Sequence, residues 1–308
     1  MMEPLISILI ATKGRLSQLE RLLESLSRLE DRESIPHEII LANNAPDEVS
    51  AGAINDLVKP YAEREPERWQ HVREPQPGKS RALNRAIALA RGQILAFLDD
   101  DVEVVPSWLR VTRDFFLSYS FDVKQGSILI PPAMQTDEDF LRLLNRYRTI
   151  CYYSPPRTDI REINSLNAAN IALKRELLAR TGLFDERIGP GQSGTSMDVE
   201  FGERVRRVGG RIGYESKSVV YHDVDRSRLT EDYFRLRHEM QGRSRLIYKE
   251  SSLLTIVPNL IRASAGFGWY SLLGNERRKY RAKGRYFHYR AMLQEKMRHK
   301  EHSRDLPK

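Results

Sequence analysis

Three consecutive acids, Asp99-Asp100-Asp101, follow the apolar run 94–98. Such a run is typical of a buried parallel strand. Three carboxylates at the end of a strand repel one another and lose hydration unless a cation neutralises them. A divalent metal held by carboxylate oxygens, water and substrate phosphates would do so. From these residues alone an acidic turn, or an N-cap for the helix that Pro106 opens, is an equally good interpretation, and both stay open.

The segments before the acids alternate between strand and helix patterns. Strands are predicted at 5–11, 38–42, 71–73 and 94–98, and helices at 19–29, 54–62 and 82–90. This alternation predicts an open α/β sheet of mostly parallel strands, which binds ligands beyond the carboxyl ends of its strands. Segments 12–15, 43–47 and 99–101 all follow predicted strands, so we expect them to meet at one edge.

The second half of the chain is less regular. A strand at 168–173, a short helix at 175–180 and a Gly-rich loop at 189–195 precede a helix at 198–208. Strands are then predicted at 211–214 and 218–221, with His222 at the exit of the latter, and a helix at 229–248. We predict one domain over 1–250, with a nucleotide-binding half (1–105) and an acceptor-binding half (106–250), followed by an extension over 251–308.

Composition and charge narrow the class of protein. A chain of 308 residues with 40% hydrophobic residues is ordinary for a soluble enzyme. Its lone cysteine, Cys151, excludes a disulfide framework and a thiolate metal site and fits a reducing cytoplasm. The first residues, 1–4, show no basic region before an apolar stretch, so no signal peptide is expected. Segment 276–308 holds twelve Lys and Arg against four acids, so the whole net charge of +8 lies there.

Several ordered motifs resemble those of the family 2 inverting glycosyltransferases of bacterial type, which have the GT-A fold. The resemblance spans about residues 5–245 and rests on segments 5–15, 78–84, 97–101, 167–175, 182–186, 198–204 and 219–222. It implies a mixed, mostly parallel α/β sheet flanked by helices, here followed by a helical, basic C-terminal extension. It also implies metal-dependent transfer of a sugar from a nucleotide-diphospho-sugar to a hydroxyl of a glycan or lipid-linked acceptor, in cell-surface polysaccharide synthesis.

The resemblance assigns a metal site, for Mn²⁺ or Mg²⁺, to the acids and the histidine. Asp101 corresponds to the direct metal ligand, and Asp99 to an acid that faces the nucleotide ribose or the metal. Asp100 is counted with the donor site, although a solvated or capping acid is an open alternative. His222 is a further ligand or a diphosphate contact, and otherwise an ordinary hydrogen-bonded histidine at a strand end.

Asp198 is the predicted catalytic base. A carboxylate near a helix N-terminus stays ionised and can take the proton of an acceptor hydroxyl. The alternative is an ordinary acid in the first turn of a helix. Met197 stands where the family usually carries the first acid of a pair, which leaves the usual contact to the acceptor in doubt. Glu200 points elsewhere on the helix and is a weaker candidate.

The donor site implied by the resemblance has nine members. They are Thr12, Lys13, Arg15, Asn43, Lys79, Arg81, Asn84, Asp99 and Asp100. Lys79 and Arg81 are expected to reach the diphosphate, and Asn84 to brace the loop. Asn43 stands where the family commonly has an Asp that accepts from uracil; an amide accepts but also donates. UDP is therefore favoured as the nucleotide, with dTDP and GDP open.

The extension combines apolar and basic residues. Apolar side chains recur on one helical face over 253–273, but Pro258, Asn259 and Arg262 argue against a membrane-spanning helix. With the basic segment that follows, the pattern predicts contact of 253–308 with an anionic membrane surface, and hence a cytoplasmic enzyme peripheral on the inner face of the cell membrane. Packing on the domain is the alternative. Nucleic acid is not an expected partner, because no nucleic-acid module precedes the tail.

Two other classes of function are weighed against the glycosyltransferase. A nucleotidyltransferase would carry a Gly-rich basic loop after the first strand, but 12–15 contains one glycine. A non-catalytic membrane-associated protein that kept the fold would be marked by loss of the acids, and Asp99, Asp101 and Asp198 are all present.

Overall fold

The computed structural model describes residues 5–151, 153–154 and 159–302, so the first four residues and the last six of the predicted membrane segment lie outside it. Within these ranges nine strands form one mixed sheet. They are β1 (Ile6–Thr12), β2 (His37–Asn43), β3 (Trp69–Arg73), β4 (Ile94–Asp99), β5 (Val102–Val104), β6 (Val123–Leu129), β7 (Arg161–Ile163), β8 (Asn170–Lys174) and β9 (Ile212–His222). Their order is β3-β2-β1-β4-β8-β6-β9-β5, and β7 pairs with β9.

Helices separate most of the strands, as the alternating pattern predicts. They are α1 (Leu16–Ser27), α2 (Glu48–Arg64), α3 (Lys79–Leu89), α4 (Trp108–Ser118), α5 (Glu138–Arg146), α6 (Leu178–Thr181), α7 (Met197–Arg207), α8 (Glu231–Tyr248), α9 (Leu253–Leu272) and α10 (Glu276–His302). α2 begins six residues before the predicted Ile54, because the Asp47 carboxylate caps it by accepting from the backbone N–H of Ser50 at 2.8 Å.

The parallel half of the sheet is the part that the sequence determines best. β3, β2, β1 and β4 are parallel neighbours, and all seven residues of β1 and of β2 are buried. Strands covered on both faces carry near-continuous apolar runs, which is why these strands are legible in the sequence. α1 adds Leu19, Leu22 and Leu26 to the same core. The predicted α/β class with a mixed, mostly parallel sheet is confirmed.

β9 corrects one prediction. It is a single strand over Ile212–His222, not two strands at 211–214 and 218–221. The polar stretch around Glu215 interrupts the apolar pattern, so the sequence indicates two strands. In the structure the ladder with β6 shifts register between Gly126 and Ser127 and resumes at Val219, and β9 stays one strand. β6 itself escaped prediction because it carries the buried polar residues Lys124 and Gln125.

Lys124 is fully buried on β6, between β8, which is antiparallel to it, and β9, which is parallel. Its Nζ donates to Thr112 Oγ1 at 2.7 Å and to Ser218 Oγ at 2.5 Å, and it lies 5.1 Å from the centre of the Trp108 ring. Burial lowers the pKa of Lys124 to about 7, and the charge of Glu215 opposes that shift only in part.

The chain forms two compact units, which are described separately. The first comprises segments 1–131, 153–186 and 197–223 and carries the sheet; the second comprises 132–152, 187–196 and 224–308 and carries α5, α8, α9 and α10. The predicted boundary at residue 250, and the division of the domain at 105, stay predictions.

Close helix packing defines the second unit. A Cβ on Gly242 of α8 would lie 2.3 Å from the carbonyl oxygen of His288 on α10, so only glycine allows these helices to approach so closely. A Cβ on Gly284 would lie 2.4 Å from the His238 ring. The described part of the basic extension, to His302, is helical, as predicted. Among the described helices, none has the length and apolar character needed to cross a membrane.

Candidate active site

The carboxyl ends of β1, β2 and β4 bring the predicted donor residues to one edge of the sheet. Thr12 pairs in register with Asn43, and Ala11 pairs with Asp99. Residues that follow parallel strands meet at one edge because the strands run in the same direction. This edge lies within the first unit.

Asp100 points inward and holds the loop that follows β1. Its buried carboxylate accepts a hydrogen bond from Thr12 Oγ1 at 2.7 Å and pairs with the Arg15 guanidinium. Burial raises the pKa of Asp100, and the attraction of Arg15 opposes that shift. Three of the nine predicted donor residues therefore bind one another, which favours a supporting role for Asp100; its contact with the donor stays a prediction.

Asp101 and His222 are brought together by an antiparallel pair. β5 starts directly after Asp101, and Val102 pairs in register with His222 on β9. His222 Nε2 lies 3.3 Å from Asp101 Oδ1, a buried oxygen that accepts no hydrogen bond, while the other carboxylate oxygen pairs with Arg15. Burial alone would lower the pKa of His222, but the nearby carboxylates of Asp101 and Asp99 raise it.

Asp101 Oδ1 is a buried oxygen whose close polar neighbour is the His222 ring nitrogen, and together the two atoms fit a divalent cation. Adjacent ligands of an octahedral ion with bonds of about 2.1 Å lie about 3 Å apart, close to the separation of Oδ1 and Nε2. In the described part of the chain no group of three or more His, Cys, Asp or Glu side chains is arranged to hold a metal. With Asp101 and His222 as protein ligands, phosphate oxygens and water would fill the other coordination positions of the ion. Direct ligation by Asp99 stays a prediction.

Asp99 is paired with a lysine. Lys79 Nζ lies 2.5 Å from Asp99 Oδ1, and although burial lowers the pKa of Lys79, the three neighbouring acids raise it above its ordinary value. Lys79 opens α3, whose N-terminus has no side-chain cap. The backbone N–H groups at the start of a helix favour an anion. The Lys79 ammonium and the start of α3 would therefore both attract an anion to this end of α3.

The turn before α3 is held by a residue that sequence reasoning missed. Asn44 accepts from the Gly78 N–H at 3.0 Å and donates to the carbonyls of Glu74 and Gln76. Gly78 has φ +142°, which favours glycine. An Asn directly after a strand, in a turn with Pro46, is a signal for such backbone bonds.

Asp198 lies in the first turn of α7. Its carboxylate accepts from the backbone N–H of Ala168 at 2.6 Å and of Val199 at 2.9 Å. Burial raises the pKa of Asp198; these two bonds and the charge of Lys79 oppose the shift. Ser80 Oγ lies 3.8 Å from Met197 Sδ, so the starts of α3 and α7 are in contact. Lys79 and Asp198 each lie next to this contact.

Three other predicted residues are occupied by structural bonds. Asn84 exchanges hydrogen bonds with the backbone of Phe184 at 3.0 and 3.1 Å, so it holds the segment around Phe184, and its bracing of the Lys79 loop and its donor contact stay predictions. Arg81 binds Gln76 and lies 3.4 Å from Glu186. Glu200 pairs with Arg204 at 2.6 Å, a contact that fits a structural acid.

Asn43 is fully buried, and both of its amide hydrogens are used. They are donated to Ala51 O and to Asn55 Oδ1, each at 3.0 Å, while Asn43 Oδ1 accepts from the Ala45 N–H at 3.2 Å. An amide oxygen has two lone pairs, so Asn43 can still accept one further bond but has no hydrogen left to donate. Lys13 is exposed on the same loop as Arg15.

Comparison with known proteins identifies the family. Residues 7–180, more than half of the chain, match the family described as glycosyl transferase family 2. The chain belongs to this family. The resemblance to family 2 glycosyltransferases inferred from the motifs is thereby confirmed.

Relatives of this family 2 chain are distant. A glucosyl-dolichyl phosphate glucuronosyltransferase of Haloferax volcanii is 22% identical over 189 residues, which are 59% of this chain and 60% of that protein. The match thus spans less than two thirds of that relative.

Solved structures support the GT-A fold. A mannosyltransferase from Pyrobaculum calidifontis, in complex with GDP-Man and Mn²⁺, has a TM-score of 0.58 and 18% identity, over 95% of this chain and 86% of that one. GalNAc-T7 with UDP, GalNAc and Mn²⁺ has a TM-score of 0.56 and 15% identity, over 82% of this chain and 53% of that one. At such identities the likeness concerns the fold.

Proposed function

We propose that this family 2 chain is a metal-dependent inverting glycosyltransferase. It transfers a sugar from a nucleotide-diphospho-sugar to a hydroxyl of a glycan or lipid-linked acceptor, in cell-surface polysaccharide synthesis. The observation that carries the proposal is the position of Lys79. It pairs with Asp99 on the acidic side of the site and is adjacent in the chain to Ser80, which contacts Met197 next to Asp198, the proposed base.

The leaving diphosphate needs its growing negative charge neutralised. Asp101 and His222 would hold Mn²⁺ or Mg²⁺, which supplies Lewis-acid chemistry when bound. Lys79 and the N–H groups at the start of α3 add positive charge on the protein side. Asp100, bound by Thr12 and Arg15, fixes the acids on either side of it.

Asp198 would take the proton of the acceptor hydroxyl. Its two bonds to backbone N–H groups hold the carboxylate in place, and burial raises its pKa. A carboxylate with a raised pKa is a stronger base, and positioned proton transfer contributes about 10²–10⁴-fold to a rate.

The donor is proposed to be a nucleotide-sugar. The similar solved structures contain GDP-Man or UDP, and the Haloferax relative is a glucuronosyltransferase, which supports a nucleotide-sugar donor as a class. UDP is favoured as the nucleotide, but the Asn43 side chain is fully buried, so a bond from the uracil N–H would require it to become exposed. The name of the Haloferax relative supports a lipid-linked acceptor, and with it a cytoplasmic enzyme peripheral on the inner face of the membrane.

Stabilisation by ligands tests the proposal. The thermal unfolding of the protein is measured with UDP, GDP or dTDP, in Mn²⁺ or in EDTA. A nucleotide at about 100 times its Kd should stabilise the protein by about 2.7 kcal/mol. We expect this with one diphosphate in Mn²⁺, and much less of it in EDTA. Unchanged stability with every nucleotide in Mn²⁺ contradicts the proposal; an equal shift in EDTA contradicts its metal dependence.

A further inference from the structure

α9 exposes an apolar stripe on the side opposite its buried face. Ile256 and Ala263 are buried, whereas Leu254 is 88% exposed, Leu272 is 84% exposed and Trp269 is 60% exposed. The exposed stripe consists of Leu254, Val257, Pro258, Ile261, Ala265, Gly268, Trp269 and Leu272. At 3.6 residues per turn these eight positions fall within an arc of about 120° and extend over about 27 Å.

The charge of α9 also differs from that of an ordinary surface helix. Its twenty residues include one Arg and neither Asp nor Glu. Surface helices usually carry charged residues on the face away from the core, whereas here that face is apolar. Trp269, with Tyr270 beside it, lies near the end of the stripe; such side chains combine an apolar body with a polar tip and suit a membrane–water interface.

A row of cations lies on α10, which folds back along α9 with Ala282 beside Gly266. Arg277, Arg278, Arg281 and Arg285 are exposed on the first turns of α10. The Arg278 guanidinium lies over the Tyr270 ring at 5.6 Å, so this row starts beside the C-terminal end of α9. The one acid at this point, Glu276, pairs with Arg146 at 2.8 Å.

We propose that the exposed stripe of α9 and the arginine row of α10 form one docking surface for an anionic lipid bilayer. The stripe enters the boundary between headgroups and acyl chains, and the arginines contact anionic headgroups. A second copy of the chain fits this surface less well, because the identical surface of that copy offers the four arginines no acid except Glu276, which is paired with Arg146. This surface would account for the peripheral membrane location in the proposed function. The inference depends on the proposed function only for that biological setting.

Fluorescence of the full-length protein tests the contact directly. The chain has three tryptophans, and Trp69 and Trp108 are buried. Vesicles of phosphatidylcholine with phosphatidylglycerol should therefore shift the emission of Trp269 to shorter wavelength and protect it from acrylamide. Trp269→Phe should abolish the shift while most vesicle binding, measured by co-sedimentation, remains.

Variants separate the apolar part from the cationic part. Leu254→Gln/Leu272→Gln should weaken vesicle binding by at least about tenfold, since each leucine loses apolar burial. Val49→Gln/Leu117→Gln, at exposed sites of the first unit, is the matched control and should bind as the parent does. Arg277→Gln/Arg281→Gln should weaken binding to anionic vesicles about fivefold for each arginine, with little effect on neutral vesicles.

Two outcomes overturn the proposal. One is vesicle binding that is absent, or equal in the parent and in Leu254→Gln/Leu272→Gln. The other is a dimer in sedimentation that the leucine variant dissociates, without vesicle binding by the parent. Because vesicle binding needs neither donor nor turnover, its failure is distinct from a failure of the nucleotide-binding test.

Discussion

His222 Nε2 lies 3.3 Å from Asp101 Oδ1, although His222 is the last residue of β9 and Asp101 directly precedes β5. The antiparallel register of these strands, with Val102 opposite His222, places the two side chains together. The buried charge of Asp101 needs a cation beside it, and either a protonated His222 or a divalent ion can supply that charge. The pair is therefore the part of the site where a divalent ion is expected to bind.

His222→Gln and Asp101→Asn should each weaken the Mn²⁺-dependent binding of a nucleoside diphosphate. Loss of a residue that supports a metal ligand typically lowers metal affinity roughly 10–100-fold, so loss of the ligand itself should lower it at least as much. Isothermal titration with Mn²⁺, and again with EDTA, measures the effect. In EDTA the variants and the parent should bind alike, and a variant that keeps the full Mn²⁺ effect would remove that residue from the ligand set.

Asp198→Asn should keep donor binding and lose sugar transfer by about 10²–10⁴-fold, because an amide cannot take a proton. The Ala168 N–H binds Oδ2 and the Val199 N–H binds Oδ1, so the amide oxygen can keep one of these two bonds and the other is lost. Some loss of stability is therefore expected, and it is measured beside turnover. Turnover under saturating donor, with nucleotide affinity measured separately, checks this.

Glu200→Gln on the same helix is the matched control for Asp198→Asn. It should lower stability, since Glu200 binds Arg204 through both oxygens, while turnover stays near that of the parent. If the two variants lose the same amount of activity, Asp198 has no special role as base.

Asp100 and Arg15 should prove strongly coupled in stability. In a double-mutant cycle of Asp100→Asn and Arg15→Gln, measured by urea unfolding without metal, we expect an interaction of about 1–3 kcal/mol. Asp100 is buried and Arg15 is partly exposed, so solvent screens the pair only in part. The exposed pair of Arg28 and Glu24 on α1 is the control, with an expected coupling below about 0.5 kcal/mol. Equal coupling in the two cycles would deny Asp100 its supporting role.

Lys124 should make stability depend on alkaline pH. Burial lowers its pKa from 10.5 to about 7. Below about pH 7 both states carry the proton, and the cost of a buried ammonium is fully present. Between the two pKa values only the unfolded chain binds this proton, so stability rises with pH, by up to about 1.4 kcal/mol per pH unit.

Urea unfolding of the parent and of Lys124→Met, compared at several pH values, isolates this contribution. The free energy of unfolding of the parent, minus that of the variant, should increase as the pH rises above about 7. Lys217→Met, at an exposed position of β9, should run parallel to the parent. If the free energy of unfolding of Lys124→Met also changes with pH as that of the parent does, Lys124 titrates normally.

The sequence by itself determined the parallel half of the sheet and the position of its acids. Strands β1, β2 and β4 are buried on both faces, so their apolar runs are continuous and mark both the strands and their ends. The ordered motifs were sufficient to predict the family. The tail, apolar over 253–273 and then basic, was predicted as helical and non-spanning from the residues alone.

The tertiary structure decided which partner each polar side chain meets. It turns Asp100 towards Thr12 and Arg15, places His222 against Asp101, and commits the Asn84 amide to Phe184. Neighbouring residues at a strand end point in different directions, and contacts between distant segments depend on register, which a one-residue shift alters. A string of residue types contains neither direction nor register, so three adjacent aspartates with the same chemistry received three different partners only when the chain folded.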